Sequence, residues 1–426
     1  MFRLVYFAIL LFALAGCVAK IAPSPTLETS IEDFLDQLPP PPSPAVQKRL
    51  YADLLAHRYM PWRTEAPRLF REEAEWGIRW LSKKRLYAEN RRPLSPKRWR
   101  RWIEACRYGD LHTLDRPAIS LRSTVLRLFP TARPIFFDPT KPGEGYPFDY
   151  NQNSALYPMT PLLVSHLSRR GGWAFVQAPF AFGWVPLHDI AILDKTQADE
   201  LMQLPLTAVT HDGLPVYGKR QTFLFEAKTG TLLPYSGEDD IFYHLRVASK
   251  CLGRTTFADA RGAKEGLAKA PLPMTRRNVA RIAYQLLGEP YGWGGMAGDR
   301  DCSAMTRDFF MPFGVWLPRN SNAQAKVGRV IDLSALPDME KERWIVQKGV
   351  PFRTLLYLPG HIMIFVGQRK GRAYAMHNIW GVKTQKGGRY LIGRAVVTTL
   401  HLGERLPDVD KKSLLIHNIR SMNILF

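Results

Sequence analysis

Cysteine is scarce in this chain, with four residues in 426, and no Cys-x-x-Cys or His-x-x-x-His pair is present to hold zinc. No metal or other cofactor is expected. Acidic residues are also short, 38 against 59 Lys and Arg, which leaves a formal charge of +21. That balance favours anionic surfaces and says nothing about fold. Nucleic acid would be one such surface, yet no recognition motif for it accompanies the charge, and none is expected as a partner. No apolar run reaches the roughly 20 residues of a membrane-spanning helix. What remains is ordinary globular composition, 46% hydrophobic and 23% charged, with room for about three domains.

One cysteine stands apart. A glycine-rich loop, Gly292, Gly294, Gly295 and Gly298, runs into Asp301-Cys302-Ser303. The residues after it, Ala304, Met305, Phe309 and Phe310, have helical apolar spacing, so Cys302 is expected at a helix N-terminus. There the macrodipole and unpaired N–H groups lower a thiol pKa and expose a nucleophile. A buried structural cysteine is the default for a lone Cys. Two histidines argue against it.

His361 lies in Leu355-Leu-Tyr-Leu-Pro-Gly-His-Ile-Met-Ile-Phe-Val-Gly367 and His377 in Ala373-Tyr-Ala-Met-His-Asn-Ile-Trp-Gly381, two strand-like runs around a polar turn. An odd loop from Gly367 to Gly371 would pair Val366 with Arg372 and set His361 opposite His377, about 5 Å apart at Cβ. An even loop without a bulge would put them on opposite faces. With the odd loop, Cys302 attacks, His361 takes its proton and His377 holds the His361 tautomer.

Four stretches resemble the NlpC-type cell-wall cysteine peptidases, in particular the multidomain lipoprotein branch with bacterial SH3-like domains. They are Pro290-Tyr-Gly-Trp-Gly-Gly295 with Asp301-Cys302-Ser303, Leu317-Pro-Arg-Asn-Ser321, Leu358-Pro-Gly-His-Ile-Met363 and His377-Asn-Ile-Trp-Gly381. Ala304 and Asn320 depart from the common pattern without touching the triad. The resemblance implies a papain-like α+β catalytic domain acting on peptidoglycan stem peptides, at the bond between the γ-carboxyl of D-Glu and the following diamino acid. It implies substrate contacts from Tyr291, Trp293, Asp301, Ser303 and Ser321, with Tyr291 and Asp301 at the free amine of an N-terminal L-Ala. Such a pocket would suit stems already freed from the sugar, hence wall turnover or recycling. A Cys-His-His amidase or transpeptidase on another γ-glutamyl bond, or a non-catalytic wall-binding lipoprotein, are the alternatives.

The rest of the chain fits a multidomain α+β protein. Arg3 and an apolar run ending Leu14-Ala-Gly-Cys17 match a secretory signal and resemble a lipobox, which would make Cys17 a lipidated N-terminus. The signal peptide is then 1–16 and a Pro-rich tether 17–44. A helical basic domain is expected over 45–115, with 17 Lys and Arg against 7 Asp and Glu between Lys48 and Arg107. Its face either touches phospholipid or wall polymer, or is a solvated surface over a tryptophan core. Two SH3-like barrels follow, over 116–196 and 197–250, the first with a long Gly, Pro and aromatic insertion between Asp138 and Ser154 that helps wall the site in related proteins. A linker over 251–273 and the catalytic domain with its tail over 274–426 complete the chain. A monomer in the cell envelope is expected, lipid-anchored at the periplasmic face of the outer membrane in preference to the inner. Cys106 and Cys251 are left as a pair that spacing cannot settle.

Overall fold

The catalytic half is built on a six-stranded antiparallel sheet packed against two helices. The computed structural model describes residue 27 and residues 30–63 and 69–426; Cys17 and the expected signal lie outside the described residues. The sheet strands are β1 (Arg329–Asp332), β2 (Thr354–Leu358), β3 (His361–Arg369), β4 (Arg372–Lys383), β5 (Arg389–Thr399) and β6 (Ser421–Ile424). Their spatial order is β1-β6-β2-β3-β4-β5. Before them come short α1 (Glu32–Leu35), α2 (Pro44–Arg58), α3 (Pro96–Cys106), α4 (Arg276–Leu286) and α5 (Cys302–Phe310). Thr275 caps α4 by accepting from the Asn278 N–H, and Val279, Ile282, Ala283 and Leu286 are its buried stripe. Every residue of α5 is buried, so this helix is the centre of the molecule.

Seven antiparallel strands between Arg116 and Ile192 make the first SH3-like domain, and seven between Leu206 and Lys269 the second. The expected linker over 251–273 is therefore corrected: most of it belongs to the second barrel. Phe242–Cys251 and Arg254–Ala263 form a continuous hairpin, Cys251 facing Arg254 across Leu252 and Gly253. Both turn residues have positive φ, as a two-residue hairpin loop requires. Gly262 and Gly266 lie where an added Cβ would come within 2.5 Å of Leu267 and Leu214. The glycines mark a tight turn and close packing, which composition alone renders as a linker.

The expected tether over 17–44 is corrected in the same way for its described end. Ile31, Phe34 and Leu35 are buried in the core of α4 and α5, and Phe34 packs on Tyr374 with ring centres 4.9 Å apart. Burying such a side chain contributes about 1.5–3 kcal/mol. In the basic region the tryptophans belong to a core and the cations to the surface. Trp102 and Cys106 of α3 are buried and Trp99 stands edge-on to Phe129, while Lys97, Arg100 and Arg101 face solvent. Cys106 is buried and Cys251 exposed, each a free thiol.

One side chain joins three domains. Arg300 is wholly buried and ion-paired to Asp308 of α5 at 2.7 Å, to Glu289 at 2.7 Å and to Asp212 of the second barrel at 2.8 Å. It also donates to the Thr229 carbonyl at 2.9 Å. Tyr157 of the first barrel donates to the same Asp308 at 2.5 Å. A guanidinium out of water is tolerated only when its donors are met this fully. Arg300→Met should lower the stability of the whole chain by about 3 kcal/mol or more, because buried acids are left unpaired. Lys219→Ala, which removes an exposed pair with Asp259, should cost under about 1 kcal/mol. Urea unfolding midpoints of the two variants check this.

Candidate active site

Cys302 is the first residue of α5, and the carboxylate of Asp301 caps the helix by accepting from the Ala304 N–H at 2.8 Å. A side-chain cap of this kind contributes about 1 kcal/mol and fixes where the helix begins. The Cys302 N–H has no hydrogen-bond partner among the described residues, as an oxyanion donor at a helix start should not. The backbone N–H groups of Ser303 and of Ile362, the residue after His361 on β3, work to lower the thiol pKa of Cys302.

The register of the histidine hairpin differs from expectation. The loop is even: Arg369 faces Arg372 across Lys370 and Gly371. Taken alone this puts the imidazoles on opposite faces. A β-bulge between Phe365 and Gly367 inserts Val366 and returns Ile364 to face Met376. Carried one step further, His377 falls beside Met363, diagonal to His361 on the same face. The imidazoles meet with His361 Nε2 and His377 Nδ1 2.8 Å apart. Gly367 has φ +143 at the bulge, and an added Cβ would sit 2.7 Å from Gln37 Oε1. Gln37 accepts from the Gln368 N–H at 2.9 Å and donates to its carbonyl at 2.8 Å, covering the sheet edge beyond the end of β2.

His377 is fully buried, with its Nε2 2.9 Å from Thr398 Oγ1. Only one proton arrangement leaves a lone pair for a thiol proton. In it His377 Nε2 donates to Thr398, His361 Nε2 donates to His377 Nδ1, and His361 Nδ1 is free. Thr398 thus extends the proposed triad, and nothing in its sequence context distinguishes it from other strand threonines. Burial, together with the Asp301 carboxylate, pushes the Cys302 thiol up to about 12. Burial pushes His361 down to about 4. The resting site therefore holds a neutral thiol and a neutral imidazole, against the depressed thiol pKa expected from the macrodipole. Desolvation outweighs a dipole worth at most about 2 kcal/mol.

Asp301 does more than cap. Arg319 donates to both its oxygens, at 3.0 and 2.7 Å, and the Gly294 N–H and Ser303 Oγ donate as well. Burial works to raise its pKa, yet the guanidinium and these donors hold it below the usual carboxylate range. Arg319 in turn donates to Ser154 Oγ of the first barrel at 2.8 Å. Gln152 of the same strand donates to the Gly294 carbonyl at 3.1 Å. Gly294 and Gly295 have positive φ, and an added Cβ would lie 2.6 Å from Gln152 O and Ala155 Cβ respectively. The glycine loop is shaped by the barrel it carries.

Two cavities meet at this point. One, of about 400 Å³, holds Cys302, Tyr291, Trp293, Asp301, Ser303 and Ser321, and is lined as well by Trp76 and Trp80 of the N-terminal domain and Phe180 and Phe182 of the first barrel. The other, of about 610 Å³, holds His361 and shares Tyr150, Tyr291, Trp293 and Gly360 with the first. Phe148, from the insertion, packs on Tyr291, Trp293 and Trp380 with ring centres 5.3 to 6.1 Å apart. These rings partition the cavities. All the sequence-derived site residues among the described ones are thus brought together. Arg319, from the Leu317–Ser321 stretch, joins them, as do Ser154, Gln152, Trp76 and Trp80, drawn from domains that sequence spacing gives no reason to place beside a cysteine.

Thr398→Val should leave the buried His377 Nε2–H unmatched and lower kcat about tenfold or more, with KM little changed. His361 must be neutral to accept a proton. Its lowered pKa therefore places the acid limb of kcat/KM near pH 4 instead of 6.5. The raised thiol pKa makes iodoacetamide alkylation of Cys302 in the free protein climb only above pH 8.5. A pH–rate profile and an alkylation profile read the two directly.

Comparison with known proteins follows the same divisions. The NlpC/P60 family matches residues 288–379, and the N-terminal stabilising domain of NLPC_P60 proteins matches 4–110. SH3 domains of SH3b1 and SH3b2 type match 134–186 and 194–240. No curated protein matches the chain. Among solved structures, an NlpC/P60 endopeptidase from Photobacterium damselae subsp. piscicida aligns at TM-score 0.82 with 23% identity, over 94% of this chain and 97% of that one. An NlpC/P60 family protein from Bacillus cereus ATCC 10987 aligns at TM-score 0.48 with 16% identity, over 72% and 98%. With its stabilising domain, its two SH3b domains and its papain-like catalytic domain, the chain belongs to the NlpC/P60 family.

Proposed function

We propose that this protein is a cell-wall cysteine endopeptidase that hydrolyses the bond between γ-D-Glu and the following diamino acid in stem peptides carrying a free N-terminal L-Ala. The observation that carries this reading is the smaller cavity, where a thiol lies beside a paired carboxylate and guanidinium under four aromatic side chains. Among the described residues that line it, Asp301 is the only carboxylate and Arg319 the only cation. Such a dipolar pair suits a short zwitterion, the ammonium of L-Ala at Asp301 and the α-carboxylate of D-Glu toward Arg319. Tyr291, Ser303 and Ser321 supply hydroxyls, and Trp293 an apolar wall. Walls from two other domains favour a short free stem over a chain still bound to sugar.

The chemistry runs on the neutral pair. His361 Nδ1 takes the Cys302 proton as the sulfur attacks the amide carbonyl, and the Cys302 N–H stabilises the oxyanion. His361 then gives that proton to the leaving amine as the C–N bond breaks, leaving a thioester. Water, activated by the same imidazole, attacks the thioester and restores the thiol. Proton transfer coupled to attack avoids forming a charged pair in a dry site before substrate arrives. His377 and Thr398 hold the tautomer. The anchor at Cys17, the outer-membrane destination and a role in wall turnover belong to this same reading.

Incubation with free stem peptide and with intact sacculi, followed by mass spectrometry of the products, should show L-Ala-γ-D-Glu released from the free stem alone. Cys302→Ala should release nothing, and N-acetylation of the stem should lower kcat/KM at least tenfold. Release from both substrates would keep the peptidase and discard the closed pocket. Retention of wall by both proteins without cleavage would leave a binding lipoprotein.

A further inference from the structure

Nine buried side-chain atoms have no hydrogen-bond partner among the described residues, and three of them belong to residues that line one cavity. They are Arg58 Nε at the end of α2, Thr231 Oγ1 of the second barrel and Arg307 Nη1 of α5. The cavity, of about 40 Å³, lies where the N-terminal domain, both barrels and the catalytic domain meet. Among the described residues that line it there is no carboxylate. Thr231 is 2% exposed and Arg307 4%. His57 stacks on Trp316 with ring centres 3.8 Å apart, which seats the end of α2 at this junction. Buried donors are nearly always matched, by protein, by water or by an ion. Three around one small space call for a shared acceptor.

Charge decides what kind. In the network around Arg300, the cations Arg300, Lys228 and Arg307 meet the anions Asp212, Glu289 and Asp308, three against three. Arg307 has the weakest share of it. Its Nε and Nη2 lie 3.4 and 3.3 Å from Asp308 Oδ1, while Asp308 Oδ2 accepts from Arg300 and Tyr157. Arg58 has no carboxylate within ion-pair distance among the described residues, and its Nη2 donates to the carbonyls of Met159 and Leu232 at 2.6 and 3.1 Å. One positive charge is therefore left unbalanced at the cavity. Water can accept a hydrogen bond from Arg58 but cannot neutralise it.

We propose that this cavity binds one small anion, of the size of chloride or formate, that accepts from Arg58, Thr231 and Arg307. A space of this volume holds about three waters, which suits such an ion and excludes a sugar acid or a peptide terminus. The ion would join α2, the second barrel and α5 through one charge. Phe180 lies under the Arg307 guanidinium at 4.0 Å and lines both this cavity and the smaller catalytic one. The anion thus braces a wall of the thiol cavity as well, whichever bond the enzyme cuts.

The test melts the full chain in two salt series at one ionic strength, sodium chloride replacing sodium gluconate, whose anion is too large to enter. The wild-type Tm should carry a saturating rise with chloride, on the order of 2 °C. Arg58→Met should lose that rise, and Lys219→Met, which removes an exposed cation elsewhere, should keep it. In crystals grown with bromide in place of chloride, anomalous scattering should place an ion within hydrogen-bond distance of Arg58 and Arg307. The wild-type series and the bromide map decide the matter even where Arg58→Met fails to fold. No saturating rise in wild type, a rise retained by Arg58→Met, or bromide found on the surface alone (an adventitious ion only) overturns the site.

Discussion

Arg300 is the constraint from which the rest follows. Its guanidinium, wholly out of water, is met by acids from the catalytic domain and the second barrel, and shares Asp308 with Tyr157 of the first. It stands two residues before Cys302. Its carbonyl accepts from Asn378 Nδ2 at 2.8 Å, which ties the same backbone to the neighbour of His377 on β4. A side chain that holds three domains thus also fixes the loop that leads into Cys302. Breaking any domain away exposes buried charge at the root of the active site. The SH3-like domains are therefore structural parts of the site as well as accessories to it.

A second consequence concerns electrostatics. Dense packing around α5 strips water from the thiol, and the adjacent Asp301 anion adds to the cost of a thiolate. The helix dipole and the two N–H groups that work to lower its pKa do not offset this. Burial instead favours the neutral forms of both Cys302 and His361. Asp301 and Arg319 balance each other in the smaller cavity, while Lys383, Arg389 and Lys412 line the larger one together with Glu144 and Asp410.

Much of this was legible in the residues. The glycine loop, the helix-opening Cys302 and the two strand histidines carried enough local chemistry to be placed together, and α4 with its Thr275 cap was written in its periodicity. Register was not. The two-residue turn at Lys370 and Gly371 predicts opposite faces, and only the bulge at Val366, enforced by Gln37 more than three hundred residues earlier, restores the histidines to one face. Thr398, Gln152 and Trp80 were equally hidden, because their roles come from contacts between separate elements, while Arg319 stood inside the Leu317–Ser321 stretch with nothing to mark its pairing with Asp301. Glycine and proline misled over 251–273, where they mark a hairpin turn and close packing that composition cannot distinguish from a linker.

The central claim is that Cys302 carries the acyl half of a stem peptide in a cavity shared by three domains. Intact-protein mass spectrometry after acid quench, during turnover of a free stem peptide, tests it directly. The account requires a transient adduct of L-Ala-γ-D-Glu mass, mapped to the fragment containing Cys302 and absent when the SH3-like contact is broken by Gly295→Ala, where the new Cβ meets Ala155. Product accumulating with no adduct at any quench time, or an adduct on another residue, would contradict it.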